Sequence, residues 1–197
     1  MKEKLGLRNV ILWAVALALL IMFFTSFGMG AKMSMYIPGE TPVFANARGV
    51  IWGTHVVSGS AGGPTYAQYF PTVALSVPGL IGFILLLLAS GGLVAITFLV
   101  KDAKLAKILT LVAAGVVVAG GILLFFVSEV MWTIMGNSME TEVGYTMPAS
   151  TMKDMYGQYA KVSSPSGVAS GIFAILFAGA IVATQFFIPD IKFIKSK

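Results

Sequence analysis

Methionine is the residue whose distribution first invites a chemical reading. Nine of the eleven methionines fall in two segments: Met29, Met33 and Met35, then Met131, Met135, Met139, Met147, Met152 and Met155. Met131, Met135 and Met139 recur at i, i+4 and i+8, a spacing that shares one face of a helix. Met33 and Met35 form an MxM pair. Thioethers are soft ligands that suit Cu(I). Unlike thiols, they persist in an oxidising compartment without forming disulfides. His55, the single histidine, would supply a nitrogen ligand. Methionine is also adaptable filler for irregular apolar gaps, and spacing alone does not separate the two roles.

Glu129 is the other candidate. It is the one acid in the third apolar stretch, and a carboxylate within a membrane segment is a functional-site candidate for protons or cations. Trp132 follows it, and tryptophan favours the membrane–water interface. That neighbour points instead to an interfacial acid, hydrated or paired with Lys32 or Arg48. Beyond these residues the chain offers little chemistry. With no cysteine it has no disulfide, thiolate metal site or cysteine nucleophile, and one histidine excludes a haem held by two histidines of this chain. There is no nucleophile elbow, P-loop, HExxH or GxGxxG motif. Gly59, Gly62 and Gly63 fall in a turn between extended segments, not at the strand-to-helix junction a phosphate cradle needs.

The elements that must position these residues are four apolar stretches, read as helices over 9–29, 77–100, 104–135 and 165–188. Each reaches the ~20 residues that cross a ~30 Å hydrocarbon core. Hydrophobic residues make up 57% of the chain and charged residues 11%, against about 25% charged in soluble domains. A soluble helix would keep a wet face every turn; these do not. The basic start, apolar stretch and small residues Gly28, Gly30 and Ala31 also fit a secretory signal, but the stretch is long for one and reads as an uncleaved first helix.

The net charge of +5 is not a nucleic-acid signal, because the basic residues flank the apolar stretches. Lys2, Lys4, Arg8, Lys101, Lys104, Lys107, Lys192, Lys195 and Lys197 lie on one side. Lys32, Arg48, Lys153 and Lys161 are spread over two long loops on the other. The positive-inside rule then places both termini and the 101–107 link in the cytoplasm, and the loops 30–76 and 136–164 outside the cell membrane. Ser76 and Ser164, each just ahead of a proline, and Asp102 read as helix N-caps. Gly167 and Gly171 form a GxxxG pair. With Ser170, Ala174 and Ala178 it belongs to small-residue stripes that let helices approach closely, inside one bundle or between copies.

In the first outer loop, the β-branched run from Gly49 to Ser58, a turn at 59–64 and the segment 65–70 read as a β-hairpin. The second loop shows no such run, only a short helix near 150–159. Alternation along 50–57 puts Val50, Trp52, Thr54 and Val56 on one face and Ile51, Gly53, His55 and Val57 on the other. Trp52 is then expected to be buried against the second loop or a neighbouring chain.

Two resemblances follow from these residues. The methionine spacings resemble those of copper importers and copper-resistance proteins, which would make Met33, Met35, Met131, Met135, Met139 and His55 a copper site. Four helices, a large first loop with β character, and Gly49-Val50-Ile51-Trp52 followed by Val56-Val57 resemble claudin-like tetraspan proteins. In those, the loop carries a Trp, then Gly-Leu-Trp, then two cysteines bridging adjacent strands. His55 stands where the first cysteine would fall; the earlier Trp and both cysteines are missing. The resemblance implies an outer sheet packed on a helix bundle and used for lateral or head-to-head contacts.

The expectation is therefore a single all-α membrane domain, an antiparallel four-helix transmembrane bundle with a small β-hairpin or sheet in its first outer loop. It would be a non-catalytic structural or accessory subunit, without a cofactor, contacting the lipid bilayer and other membrane subunits or itself. Trp52, Tyr66, Tyr69 and Phe70 would form the loop's interface, with Gly167 and Gly171 in the helices. Copper delivery through the methionines, and a transporter subunit using Glu129, are the alternatives.

Overall fold

A computed structural model describes residues 6–39, 43–53, 58–60 and 74–188, with the backbone alone for 43, 58–60 and 138–143. The chain is mostly helical. Helix α1 (Leu7–Thr25) ends in a 3-10 turn (Ser26–Gly28) and leads into strands β1 (Gly30–Met35), β2 (Val43–Arg48) and β3 (Ser58–Ser60). Then come α2 (Val77–Leu99), α3 (Ala103–Leu124), a 3-10 turn (Val127–Glu129), α4 (Val130–Val143), α5 (Ala149–Tyr156), β4 (Ala160–Ser163) and α6 (Pro165–Phe186). Among the described residues, four helical stretches are long and apolar enough to cross a membrane: Leu7–Gly28, Val77–Leu99, Ala103–Asn137 and Pro165–Phe186.

The helix starts follow the sequence. Ser76 Oγ accepts from the Gly79 amide, Asp102 Oδ1 from Leu105 and Ser164 Oγ from Gly167, each three residues on. Such a cap satisfies an amide left without an intrahelical partner. The third helix departs from the expected unbroken run over 104–135. It stops at Leu124, passes through i→i+3 bonds from Phe126 to Leu123 and from Glu129 to Phe126, and resumes as α4. Apolar residues continue across this break, so periodicity could not mark it. In consequence, helix extends to Val143, inside the segment read as outer loop.

Contacts divide the chain into two compact units. The helix unit comprises Met1–Phe24, Ile81–Ile122 and Ser170–Lys197; the sheet unit comprises Thr25–Leu80 and Leu123–Ala169. In the helix unit, Trp13 Nε1 donates to Thr97 Oγ1 and stacks on Phe98, and Ser90 Oγ donates to the Ala16 carbonyl. These contacts join α1 and α2 in opposite directions. Gly120 lets α3 approach α2: a Cβ there would stand 2.9 Å from the Gly82 carbonyl oxygen. Gly121 does the same toward α6, where a Cβ would stand 3.0 Å from both Gly171 O and Ala174 Cβ. Lys107 lies over the Phe186 ring at the other end of that pair. The small-residue stripe on α6 is thus an intrachain seam, with Ala174 and Ala178 buried.

The sheet unit holds a four-stranded sheet in the order β3-β2-β1-β4. β1 pairs antiparallel with β2, from Gly30 opposite Arg48 to Met35 opposite Val43. It also pairs with β4, from Lys32 opposite Ser163 to Met35 opposite Ala160. Strands β1 and β2 lie ahead of the segment where β-propensity put the hairpin, and the first residues of that segment are not extended. Residues 49–53 form a turn in which Gly49 and Gly53 take φ of +70° and +71°. The turn buries the consecutive residues Val50 and Ile51 completely, which a strand's alternation forbids. The segment 65–70 lies outside the described residues. The second loop, read as strandless, supplies β4; its short helix is α5. Beneath the sheet, Ala31, Met33, Ala45 and Ala47 share the unit's buried core with Val127, Val130, Met131 and Ile134, and α4 touches both β1 and α5.

Candidate interaction surface

Alternation along β1 and β2 gives the sheet two chemistries. Ala31, Met33, Ala45 and Ala47 point inward; Lys32, Asn46 and Arg48 point out. Register orders the outward face along its length. At the end joined to the 3-10 turn after α1 and to the start of α6 stand Lys32 and Arg48. At the far end stand Tyr36 and Phe44, packed edge to face with ring centroids 5.8 Å apart. Tyr36 is 54% exposed, and its amide donates to the Tyr159 carbonyl at 2.8 Å, which fixes this end of the sheet. Lys161, opposite Ser34, adds a third cation to the same face.

Trp52 sits in the 49–53 turn, half-buried. Its indole Nε1 donates to Ser26 Oγ at 2.7 Å, and its ring stacks on Phe27 with centroids 5.2 Å apart and planes 12° apart. Ser26 is fully buried. The residue expected on the strand's large-ring face instead ties the first loop to the end of α1. His55, Tyr66, Tyr69 and Phe70 lie outside the described residues.

Glu129 closes the 3-10 turn between α3 and α4. Lys153 Nζ, from α5, donates to its Oε2 at 3.0 Å. The partner is therefore Lys153, not Lys32 or Arg48. Both side chains are about half exposed, at 54% and 42%, and such pairs contribute about 0–1 kcal/mol. With Ser76, Phe126 and Ser150 they line a cavity of about 290 Å³. Trp132 lines it too, is 3% exposed, and its indole N–H has no acceptor among the described residues.

Five methionines, Met29, Met33, Met131, Met135 and Met152, are buried in the sheet unit. Met35 and Met147 are half-buried, and the Met139 side chain is outside the described set. Met131 and Met135 share a face of α4 as their spacing required. The structure brings that helix to β1, which carries Met33. Burial of this kind is what an adaptable filler shows. Replacing both Met131 and Met135 by leucine conserves volume, so stability should fall by less than about 1.5 kcal/mol per site, read by thermal unfolding in detergent. Loss of Cu(I) binding in that same folded variant would instead assign the sulfurs a ligand role. No group of three or more His, Cys, Asp or Glu that could hold a metal occurs among the described residues.

Gly167 and Gly171 both face intrachain neighbours. A Cβ at Gly167 would stand 2.8 Å from the Leu124 carbonyl oxygen, and Gly171 O meets Gly121. No protein-family model matches this sequence, and no curated protein matches it. Sequence reasoning missed the pairing of exposed Tyr36 with half-buried Phe44 and the outward cations of β1 and β2. Their signal was the inside–outside alternation of 44–48, obscured by alanines with low strand propensity.

Proposed function

We propose that this chain is a non-catalytic multi-pass protein of the cell membrane, a structural or accessory subunit whose sheet unit makes protein–protein contacts. The membrane reading rests on large apolar side chains exposed along all four long helices, among them Leu17 (58%), Leu88 (63%), Phe98 (61%) and Leu176 (61%). Water would not tolerate that much exposed apolar surface, whereas lipid would cover it. The antiparallel contacts of α1 with α2, α2 with α3 and α3 with α6 support a four-helix transmembrane bundle. The lysine-rich 101–107 link and termini support a cytoplasmic side, leaving the loops 30–76 and 136–164 outside. A sheet drawn from both loops is in keeping with the claudin-like resemblance.

The observation that carries the contact role is the exposed Tyr36, packed on half-buried Phe44, at the end of the sheet farthest, by register, from α1 and α6. Aromatic residues at such positions anchor interfaces at low entropic cost. The partner is another membrane subunit or a second copy. A photocrosslinking residue at position 36 should capture one defined protein in intact membranes. Tyr36→Ala alone should abolish the matching complex in mild detergent, while the monomer stays folded. A parent protein that is strictly monomeric and crosslinks only to lipid would overturn the reading.

A further inference from the structure

The near end of the sheet carries a separate site. Lys32, Asn46 and Arg48 project from the outward face and, with Gly28, Gly30, Ala31, Ala47, Pro165 and Ser166, line a groove of about 500 Å³. Register places Arg48 opposite Gly30 and Lys32 opposite Asn46, so the two cations are diagonal neighbours on adjacent strands. Side chains at that offset are about 7–8 Å apart at the backbone, within mutual reach of long side chains. No carboxylate lines the groove, and neither cation has an ion-pair partner among the described residues. Two unpaired like charges so placed repel each other, and an anion between them removes the repulsion. The floor is small: Gly30 and Gly28 bring no side chain to it. Ser166, whose hydroxyl donates to the Gly30 carbonyl at 3.4 Å, lies within the first turn of the 22-residue helix α6, whose N-terminal end favours negative charge.

We propose that this groove binds a phosphate group, and specifically the phosphodiester of an anionic membrane phospholipid. Lys32 and Arg48 would hold the phosphate oxygens from one side, and the Asn46 amide would donate from its edge. The lipid source follows from position. Gly28 ends one apolar span and Pro165 begins another, so if these helices cross the membrane the groove lies at headgroup depth. The assignment of source rests on that membrane reading; the cationic groove does not. A protein that requires detergent to stay soluble upholds the membrane reading whatever the groove binds.

The test uses the full chain purified in a neutral detergent. Phosphatidylglycerol is added and retained lipid is counted by native mass spectrometry. The parent should retain one more phosphatidylglycerol than Lys32→Gln/Arg48→Gln. Cations at an anionic lipid surface contribute about fivefold in affinity each, so the double variant should bind this molecule about 30-fold more weakly. Lys153→Gln, whose lysine is engaged by Glu129, should behave as the parent. Both groove substitutions are on exposed side chains, and an unchanged thermal midpoint without lipid confirms that the variant folds. Equal retention by parent and double variant, or equal retention of phosphatidylcholine, would overturn the proposal. Displacement of the retained lipid by millimolar inorganic phosphate or glycerol phosphate would keep the phosphate site but overturn its assignment to lipid. Resistance to both would support the lipid.

Discussion

Gly136→Ala is expected to disrupt the sheet unit strongly. A Cβ at Gly136 would overlap the backbone carbonyl oxygen of Met147, with that carbonyl's carbon 3.2 Å away and Met152 Cγ 3.4 Å away. The colliding atom is backbone, so no rotamer change relieves it. The same two residues are joined by a hydrogen bond from the Met147 amide to the Gly136 carbonyl, at 3.0 Å. This is where the chain, after reversing at Gly144 with φ of +79°, returns past α4 to begin α5. Accommodating the methyl means breaking that bond and moving α5, which carries the fully buried Met152 and the ion-paired Lys153. Overpacking of a tight site costs about 1–3 kcal/mol, and a backbone clash belongs at the upper end. In a chain of this length that lowers the thermal midpoint by about 5–10 °C. Gly115→Ala is the control: a Cβ there meets nothing within 4 Å, and within a helix alanine is preferred to glycine by about 0.5–1 kcal/mol. A midpoint lowered equally in both variants, or in neither, would show that the approach of α4 to residue 147 is not what holds the unit together.

The parts of this fold that were legible in the sequence are those decided locally. Apolar length gave the four long helices, and Ser76, Asp102 and Ser164 marked their starts because an N-cap acts on amides only two or three residues away. The sheet lies in the first outer loop as expected, but β1 and β2 precede the segment read as its hairpin, because strand propensity is largely a statement about packing context. Residues 50–57 are β-branched, yet Gly49 and Gly53 adopt the left-handed backbone that turns the first part of this segment. The observed strands use Ala31, Ala45 and Ala47 on their inner face, poor strand formers in isolation. They are favoured here because small inward side chains let α4 come close. β4 is four residues long and is a strand only because β1 lies beside it. The ion pair of Glu129 with Lys153 spans 24 residues and the hydrogen bond of Trp52 with Ser26 spans 26. Neither partner could be chosen from the sequence, because each choice depends on where a turn delivers its residues. The cationic and aromatic ends of the sheet depend in turn on the β1–β2 register, which a shift of one residue would have inverted.

Trp52→Ala should loosen the first loop, and by more than its partial burial alone implies. Three losses coincide. The ring's stacking on Phe27 disappears, a contact worth about 0.5–1.5 kcal/mol beyond area burial. Burial of the ring itself is lost; a fully buried tryptophan costs about 3–5 kcal/mol on truncation, and half-burial brings this to about 2 kcal/mol. The buried Ser26 hydroxyl loses its donor, which adds about 1 kcal/mol or more. Limited proteolysis of the chain in mild detergent reads the result, and cleavage within residues 36–76 should rise sharply. Trp52→Phe separates the contributions, since it keeps a ring on Phe27 but not the hydrogen bond, and should fall between alanine and the parent. Ser26→Ala removes the same bond from the other side without orphaning a buried hydroxyl, so it should cost less than Trp52→Phe. Adding it to Trp52→Phe should cost little more than either alone, the non-additivity expected of two residues that share one interaction. Full additivity of the two, or parental protease resistance in Trp52→Ala, would mean that the loop takes its order from β1, β2 and β4 and that the indole is only a surface ring.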